Sequence, residues 1–344
     1  MKFLIPALLI VAILYIGRAI ILPFLIALFL WYLLNSIATY YRKALPCREN
    51  CPPAKDWAMG ALSWAGAAAT FIGFVWFFIT RIRPAIGGFM AQIPQIQERI
   101  YAMKGFVSDT IGIEIGMHMV PDTAAIVSAI TSSTAQIMTA MGLVFIYAFF
   151  MLIEQSTFPK KLARLFPTKR DLEKTRVIIK AIDDNMKRYM FMKTALSALN
   201  ATLSYLFMIC VGFEFAFVWA FIIFVLNYIP TFGTIVSLAL PVMFAFIVGH
   251  EPYQILVLAA GLMVVQGFVG NILDPKLIGR TLNMSMLAII INLVFWGILW
   301  GPVGMFFSVP ILAAIYVSTA QFDKTRWIAI LLSANGEIPD KKEK

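Results

Sequence analysis

The chain has 344 residues, of which 61% are hydrophobic and 13% are charged. Soluble domains have roughly a quarter of their residues charged, so the composition excludes a soluble protein and predicts an integral membrane protein. The net charge of +10 is explained by Lys- and Arg-rich loops that stay in the cytoplasm, so no nucleic-acid partner is expected. The expected partner is the lipid bilayer.

The apolar runs predict an all-α polytopic membrane protein with about eight transmembrane helices plus short or re-entrant hairpins. Loop charges and the parity of crossings place both termini on the cytoplasmic side. The predicted segments are N-terminal membrane helices (1–80), an extracytoplasmic helical segment (81–135), a membrane helix (136–155), a basic cytoplasmic amphipathic helix (156–195), a C-terminal membrane core (196–320) and a cytoplasmic tail (321–344).

The outside segment carries apolar residues at helical spacing, which predicts an amphipathic helix. Its expected partner is either another part of the same protein or the outer membrane surface. The stripe consists of Phe89, Ile93, Ile96, Ile100, Met103 and Val107.

Residues 156–195 hold eleven basic and four acidic residues, which predicts a cytoplasmic location. A second helical stripe runs through them, and it could face the membrane surface, the protein's own spans or a neighbouring subunit. Its members are Leu172, Thr175, Ile179, Ile182, Met186 and Tyr189.

The stretch LNYIPTFGTIVSLALP, residues 226–241, interrupts the most hydrophobic part of the chain. Proline and glycine predict a broken helix there. A helix broken inside a membrane fits a transporter's substrate site, whereas a tight turn between two ordinary spans is the alternative. Parity places the break towards the cytoplasm, as an inner gate or re-entrant turn. The candidate residues are Asn227, Pro230, Thr231, Gly233 and Thr234.

A second constellation contains Gln266, Asn271, Asp274 and Lys276. If the span stays α-helical, Gly267, Asn271 and Asp274 share one face, although the proline after Asp274 favours a helix end. The carboxylate and the ammonium group could bind each other or an ion. Alternatively, they mark the membrane boundary.

A third feature is WGILWGPVGMFFSVP, residues 296–310. Its two tryptophans, three glycines and two prolines predict a hairpin tip rather than a straight helix, although packing alone could explain them.

Enzyme signatures are absent from the sequence, so no catalytic residue, metal or cofactor is predicted. Cys47 and Cys51 lie in one short loop and are interpreted as free thiols, since no histidine lies nearby. His118 and His250 fall outside the apolar runs.

Three ordered motifs resemble the autoinducer-2 exporter family: NYIPTFGT at 227–234, DPKLIGRTLNMSML at 274–287 and FWGILWGPVGMFFSVPI at 295–311. Where that family commonly has Glu before the second motif's proline, this chain has Asp274. The resemblance implies a transporter of the bacterial or archaeal cytoplasmic membrane that exports a small polar solute such as autoinducer-2. It also implies a homo-oligomer, of which a pentamer is one form.

The leading hypothesis is a transporter whose pathway is lined by the break and by Gln266, Asn271 and Asp274. The runner-up is a sodium/proton antiporter, ranked lower because the acidic residues fall at span ends. A non-transporting scaffold or regulator that acts through residues 168–193 is the alternative of a different class.

Overall fold

The computed structural model describes residues 4–45, 53–111, 123–155, 157–166, 168–279, 283–322 and 324–337. Cys47, Cys51 and His118 therefore lie outside the described residues. The α-helices are α1 (Leu4–Ile16), α2 (Arg18–Ala44), α3 (Pro53–Ile111), α4 (Thr123–Glu154), α5 (Phe158–Leu165), α6 (Lys169–Cys210), α7 (Ala216–Leu226), α8 (Phe232–Val248), α9 (Pro252–Gly267), α10 (Met286–Gln321) and α11 (Arg326–Leu332). Two π-helices, Phe268–Leu273 and Pro275–Gly279, follow α9.

Four helical stretches among the described residues are long and apolar enough to cross a membrane: Arg18–Ala44, Ala58–Arg99, Pro252–Leu277 and Met286–Gln321. A fifth is formed if the end of α4 and the bent helix α5 count as one span. The all-α membrane architecture is therefore confirmed, but eight spans are not. Several apolar runs form helices that are too short, since α1 has 13 residues and α7 has 11 where a crossing needs about 20.

The chain divides into two compact units. Unit 1 comprises residues 1–71, 140–194 and 275–344, and unit 2 comprises residues 72–139 and 195–274. The long helices α3 and α6 each contribute residues to both units.

The core of unit 1 forms where the basic part of α6 meets α10 and α11. Met186 and Tyr189 of the α6 stripe are buried in one cluster with Leu312 and Tyr316 of α10 and Ala329 of α11, and Ile182 packs against that cluster. Of the three surfaces considered for this stripe, the protein's own helices are therefore the ones it contacts.

Helix α10, counted above as one long apolar stretch, consists of two helices that form a hairpin. Its backbone leaves helical geometry at Gly301, where φ is 66° and ψ is −149°, values that glycine tolerates. Across the hairpin, the Asn292 side-chain amide donates to the Ser308 carbonyl at 2.6 Å. At the tip, the Trp300 indole N–H donates to the Leu14 carbonyl of α1 at 3.0 Å. The break at Gly301 falls within residues 296–310, where the sequence predicted a hairpin tip.

The core of unit 2 is built around Phe244 of α8. Its ring lies 5.2 Å from that of Trp219 of α7 and 5.8 Å from that of Phe89 of α3. Phe89 and Ile96 both pack against this core. This part of the α3 stripe therefore contacts the protein itself, which was one of its two expected partners.

Candidate functional site

The chain breaks between α7 and α8 as predicted. Helix α7 ends at Leu226 and α8 begins at Phe232. Between them, the Phe232 N–H donates to the Pro230 carbonyl at 2.5 Å, and Thr231 has φ 59° and ψ −61°. These angles and this hydrogen bond define a γ-turn with positive φ, a strained conformation. The break is therefore a three-residue turn that joins two packed helices.

The strain at Thr231 predicts a stabilising substitution. We expect Thr231→Gly to raise the free energy of unfolding by about 1 kcal/mol, because glycine adopts a positive φ without steric conflict. Thermal or denaturant unfolding in detergent would measure the change. Thr234→Gly is the matched control, since Thr234 lies in the first turn of α8, where glycine should cost about 0.5–1 kcal/mol. Equal destabilisation by both changes would contradict the assignment of strain to Thr231.

Asn227, the first residue after α7, is the centre of a buried polar cluster. Its side-chain N–H donates to the Ser197 hydroxyl at 2.9 Å, and its carbonyl oxygen accepts from the Asn200 amide at 3.2 Å. Asn227 is 7% exposed, Asn200 2% and Ser197 0%. These hydrogen bonds fix the α7 end of the turn against α6.

A second buried polar pair connects α8 to α9. The Ser237 hydroxyl lies 3.0 Å from the side-chain carbonyl oxygen of Gln266 and 3.1 Å from the Thr234 carbonyl, so it can donate to either acceptor. Both side chains of the pair are almost completely buried. Gln266 thus lies in the interior of unit 2, as does Asn227.

Some hydrogen-bonding capacity of these two groups, and of Ser204 one helical turn from Asn200 in α6, is unused. Asn200 Oδ1, Ser204 Oγ and Gln266 Nε2 are buried and have no hydrogen-bond partner among the described residues. A buried polar group left unpaired costs about 1–3 kcal/mol, so these atoms favour a state in which water or a polar molecule reaches them. Two of the three are oxygen atoms able to accept, and the amide nitrogen of Gln266 can only donate.

The other site residues predicted from the sequence differ in their exposure to solvent. Gly233 is buried, Pro230 and Thr234 are half-buried, and Thr231 is exposed. Asp274 is half-buried, whereas Asn271 and Lys276 are exposed.

The expected shared face of Gly267, Asn271 and Asp274 required a continuous α-helix. Instead, α9 ends at Gly267 and the π-helix Phe268–Leu273 follows, with the Asp274 N–H donating to the Val269 carbonyl. The wider i→i+5 turn changes which side chains lie above one another. Pro275 does not end the helical path, because a further π-turn, Pro275–Gly279, continues it.

Ser197, Asn200, Ser204 and Ser237 were not predicted as site residues. The first three lie at i, i+3 and i+7 in α6, a spacing that places them on one face of a helix. This polar face within an apolar stretch was the signal available in the sequence. No local signal marked Ser237, because its partner Gln266 lies 29 residues away in the sequence.

A different face of α6 borders an apolar cavity of about 320 Å³ in unit 2. Phenylalanine rings of α3 and α7 provide much of its wall, including Phe74, Phe77, Phe217 and Phe221. Such a lining suits an apolar occupant. The buried polar side chains are therefore the stronger candidate site for a polar solute.

The comparison with known families decides the class of this protein. The model of the AI-2E family transporter matches residues 3–324. The chain belongs to the AI-2E transporter family. The match spans both units, including the turn after α7 and the hairpin of α10.

Relatives of this AI-2E chain are described as transport proteins. The AI-2 transport protein TqsA of Escherichia coli (strain K12) is 28% identical over 325 residues, which cover 91% of this chain and 89% of that protein. The putative transport protein YhhT of the same organism is 34% identical over 147 residues, or 43% of this chain and 42% of YhhT. The putative transport protein YueF of Bacillus subtilis (strain 168) is 22% identical over 320 residues, or 85% of this chain and 81% of YueF.

Family membership establishes that this chain is a multi-pass membrane transporter and not an enzyme. The first of the three AI-2E motifs noted in the sequence coincides with the buried Asn227 and the strained turn. The third coincides with the α10 hairpin. The first and third motifs therefore lie in the α7–α8 hairpin and in the α10 hairpin.

Proposed function

We propose that this AI-2E family member exports a small, polar, uncharged solute such as autoinducer-2 along a pathway lined by the buried polar side chains of unit 2. The lining consists of Ser197, Asn200, Ser204, Asn227, Ser237 and Gln266. The observation that carries the proposal is the unused hydrogen-bonding capacity of Asn200, Ser204 and Gln266, which are almost completely buried in unit 2.

The chemistry of this lining favours a neutral solute. The buried polar side chains described in unit 2 are all serine, asparagine or glutamine. Their hydroxyl and amide groups exchange hydrogen bonds with hydroxyl and carbonyl groups without requiring a charge on the solute. The name of the E. coli relative TqsA, an AI-2 transport protein, supports autoinducer-2 as the first solute to test.

The strained turn is the position at which we expect the pathway to change conformation. A residue in a rare backbone conformation at a functional site can switch between alternative states. Movement at Thr231 would separate Asn227 from α6 and expose the unpaired oxygens to the solute. Asn271 and Asp274 follow Gln266 along the chain. They extend the proposed pathway beyond the end of α9.

The proposed location is the bacterial or archaeal cytoplasmic membrane, with both termini in the cytoplasm. The eleven basic residues of 156–195 support this orientation, because basic loops are retained on the cytoplasmic side. A homo-oligomer, with a pentamer as one form, is the proposed assembly.

Reconstituted vesicles test the proposal directly. Purified wild-type protein and the variant Asp274→Asn are incorporated into vesicles loaded with labelled autoinducer-2. Efflux of the label is measured in parallel with sodium-driven proton movement reported by a pH-sensitive dye. We expect label efflux in both proteins, because the neutral lining does not depend on the Asp274 charge.

Two results would contradict the exporter. Proton movement that is lost in Asp274→Asn, without label efflux in either protein, would identify sodium/proton exchange instead. Efflux abolished by the loss of the Asp274 charge would show that the neutral lining alone does not carry the solute. Empty vesicles and vesicles with the labelled solute outside are the controls for leakage.

A further inference from the structure

Helix α5 is a short amphipathic helix that follows the apolar end of α4. Its sequence is FPKKLARL. Phe158, Leu162 and Leu165 recur at spacings of four and three residues and form an apolar face. Lys160 and Arg164, four residues apart, lie on the opposite side. This division is typical of a helix that lies in the interface between water and lipid.

Both faces of α5 are largely accessible, and only Leu162 of the apolar face is half-buried. None of its residues is buried. On the apolar face, Phe158 is 48% exposed and Leu165 is 72% exposed. Lys160 and Arg164 are exposed as well. The helix therefore presents both an apolar and a basic surface to its surroundings.

The direction of α5 relative to α4 fits the membrane surface. The apolar segment Thr139–Glu154 precedes α5, which is bent away from it by 67°. Because α5 has eight residues, it is about 12 Å long and too short to cross a bilayer. A helix inclined this far from a span that runs along the membrane normal lies close to the membrane plane.

We propose that α5 is a surface anchor that binds the anionic phospholipids of the bilayer next to the end of α4. The apolar face would insert among the acyl chains, and Lys160 and Arg164 would contact the lipid phosphates. Basic residues beside a span are attracted to anionic headgroups, and the apolar face adds the hydrophobic part of the interaction. This inference does not depend on which solute is transported.

Side-chain contacts connect the anchor to the spans of unit 1. The Lys161 ammonium group pairs with the Glu154 carboxylate at the end of α4. The Trp31 indole N–H of α2 donates to the Gln155 side-chain oxygen at 3.0 Å. Lys161 is thus engaged within the protein, and Lys160 and Arg164 are the cations available to the lipid. Lipid binding at α5 would hold the end of α4 and, through Gln155, the middle of α2.

Hydrogen–deuterium exchange of the full chain in nanodiscs tests the anchor. Exchange of the 158–165 backbone is compared between discs of phosphatidylcholine alone and discs that also contain phosphatidylglycerol. We expect exchange to slow several-fold in the anionic discs and the difference to shrink at high salt, because salt screens exposed charges. The double variant Lys160→Glu/Arg164→Glu should lose this difference.

A matched variant and two further measurements make the test decisive. Lys174→Glu/Lys180→Glu changes the charge equally at exposed positions of α6 and should keep the anionic-lipid effect. Leu165→Asp should speed exchange in both kinds of disc, since it disrupts the apolar face. Equal exchange in neutral and anionic discs for the wild type would overturn the proposal. So would protection reproduced by inorganic phosphate in detergent, which would indicate an anion site, or protection that rises with protein concentration, which would indicate a second copy of the chain.

Discussion

Replacing Gly233 with alanine should prevent the α7–α8 hairpin from closing. A Cβ atom at this position would lie 1.8 Å from the Leu226 carbonyl oxygen and 2.7 Å from its carbon. Because these are backbone atoms at the end of α7, no side-chain rotation relieves the overlap. Overpacking usually costs about 1–3 kcal/mol, and we expect a cost at or above about 3 kcal/mol here. The midpoint of thermal unfolding and the yield of monodisperse protein in detergent would measure it.

Gly73 provides the matched control in the same unit. It lies within α3, and a Cβ atom there would meet no atom of the described residues within 4 Å. Gly73→Ala should therefore be neutral or stabilising by up to about 1 kcal/mol, the ordinary helix preference for alanine. If Gly233→Ala unfolds at the same temperature as Gly73→Ala, the close approach of the two helices is not required for folding.

A similar close approach of a glycine to a backbone carbonyl group occurs in the hairpin of α10. A Cβ atom at Gly304 would lie 2.1 Å from the Trp296 carbonyl oxygen. Each unit thus contains a pair of helices that meet where a glycine faces the backbone of the preceding helix. Glycine permits this contact because it has no side chain. In both hairpins, a proline lies a few residues after the end of the first helix. Because the proline ring fixes φ, it restricts the backbone at the turn.

The turns of both hairpins could be predicted from the sequence because their causes are local. Pro230 and Gly233 interrupt a helix through their own backbone properties, and so do Gly301 and Pro302. The helical stripe that includes Phe89 and Ile96 was equally visible as a repeating pattern, and its packing on unit 2 was one of two expected outcomes. Local steric rules act over a few residues, so a single sequence contains them.

The number of spans and most of the polar site depended on interactions distant in the sequence. From the sequence alone, an apolar run such as that of α7 is interpreted as a membrane crossing, because neither the length of the helix nor the helix it packs against is known. Asn227 meets Ser197, which lies 30 residues away, and no local pattern indicates that pairing. The π-helix after α9 replaces the expected α-helical spacing of Asn271 and Asp274. Gly270 and Pro275 were the available signs of irregularity, but they do not specify the type of turn.

Replacing Asn227 with leucine should both destabilise the protein and stop transport. The change leaves the Asn200 amide and the Ser197 hydroxyl without their buried partner. We expect the free energy of unfolding to fall by about 1–3 kcal/mol, the usual effect of an unpaired buried polar group. Autoinducer-2 efflux per folded protein should fall at least about tenfold, the factor that corresponds to 1.4 kcal/mol.

The triple variant Ser197→Ala/Asn200→Leu/Asn227→Leu separates the two effects. Removing all partners together leaves no unpaired group among these three residues, so most of the lost stability should return. Efflux should remain low, because the solute has lost the side chains proposed to bind it. Asn292→Leu is the control: it removes a comparable hydrogen bond in the α10 hairpin of unit 1 and should lower stability while leaving efflux per folded protein unchanged. Recovery of both stability and efflux in the triple variant would mean that the cluster only holds α7 against α6, and the solute would then have to cross unit 2 elsewhere.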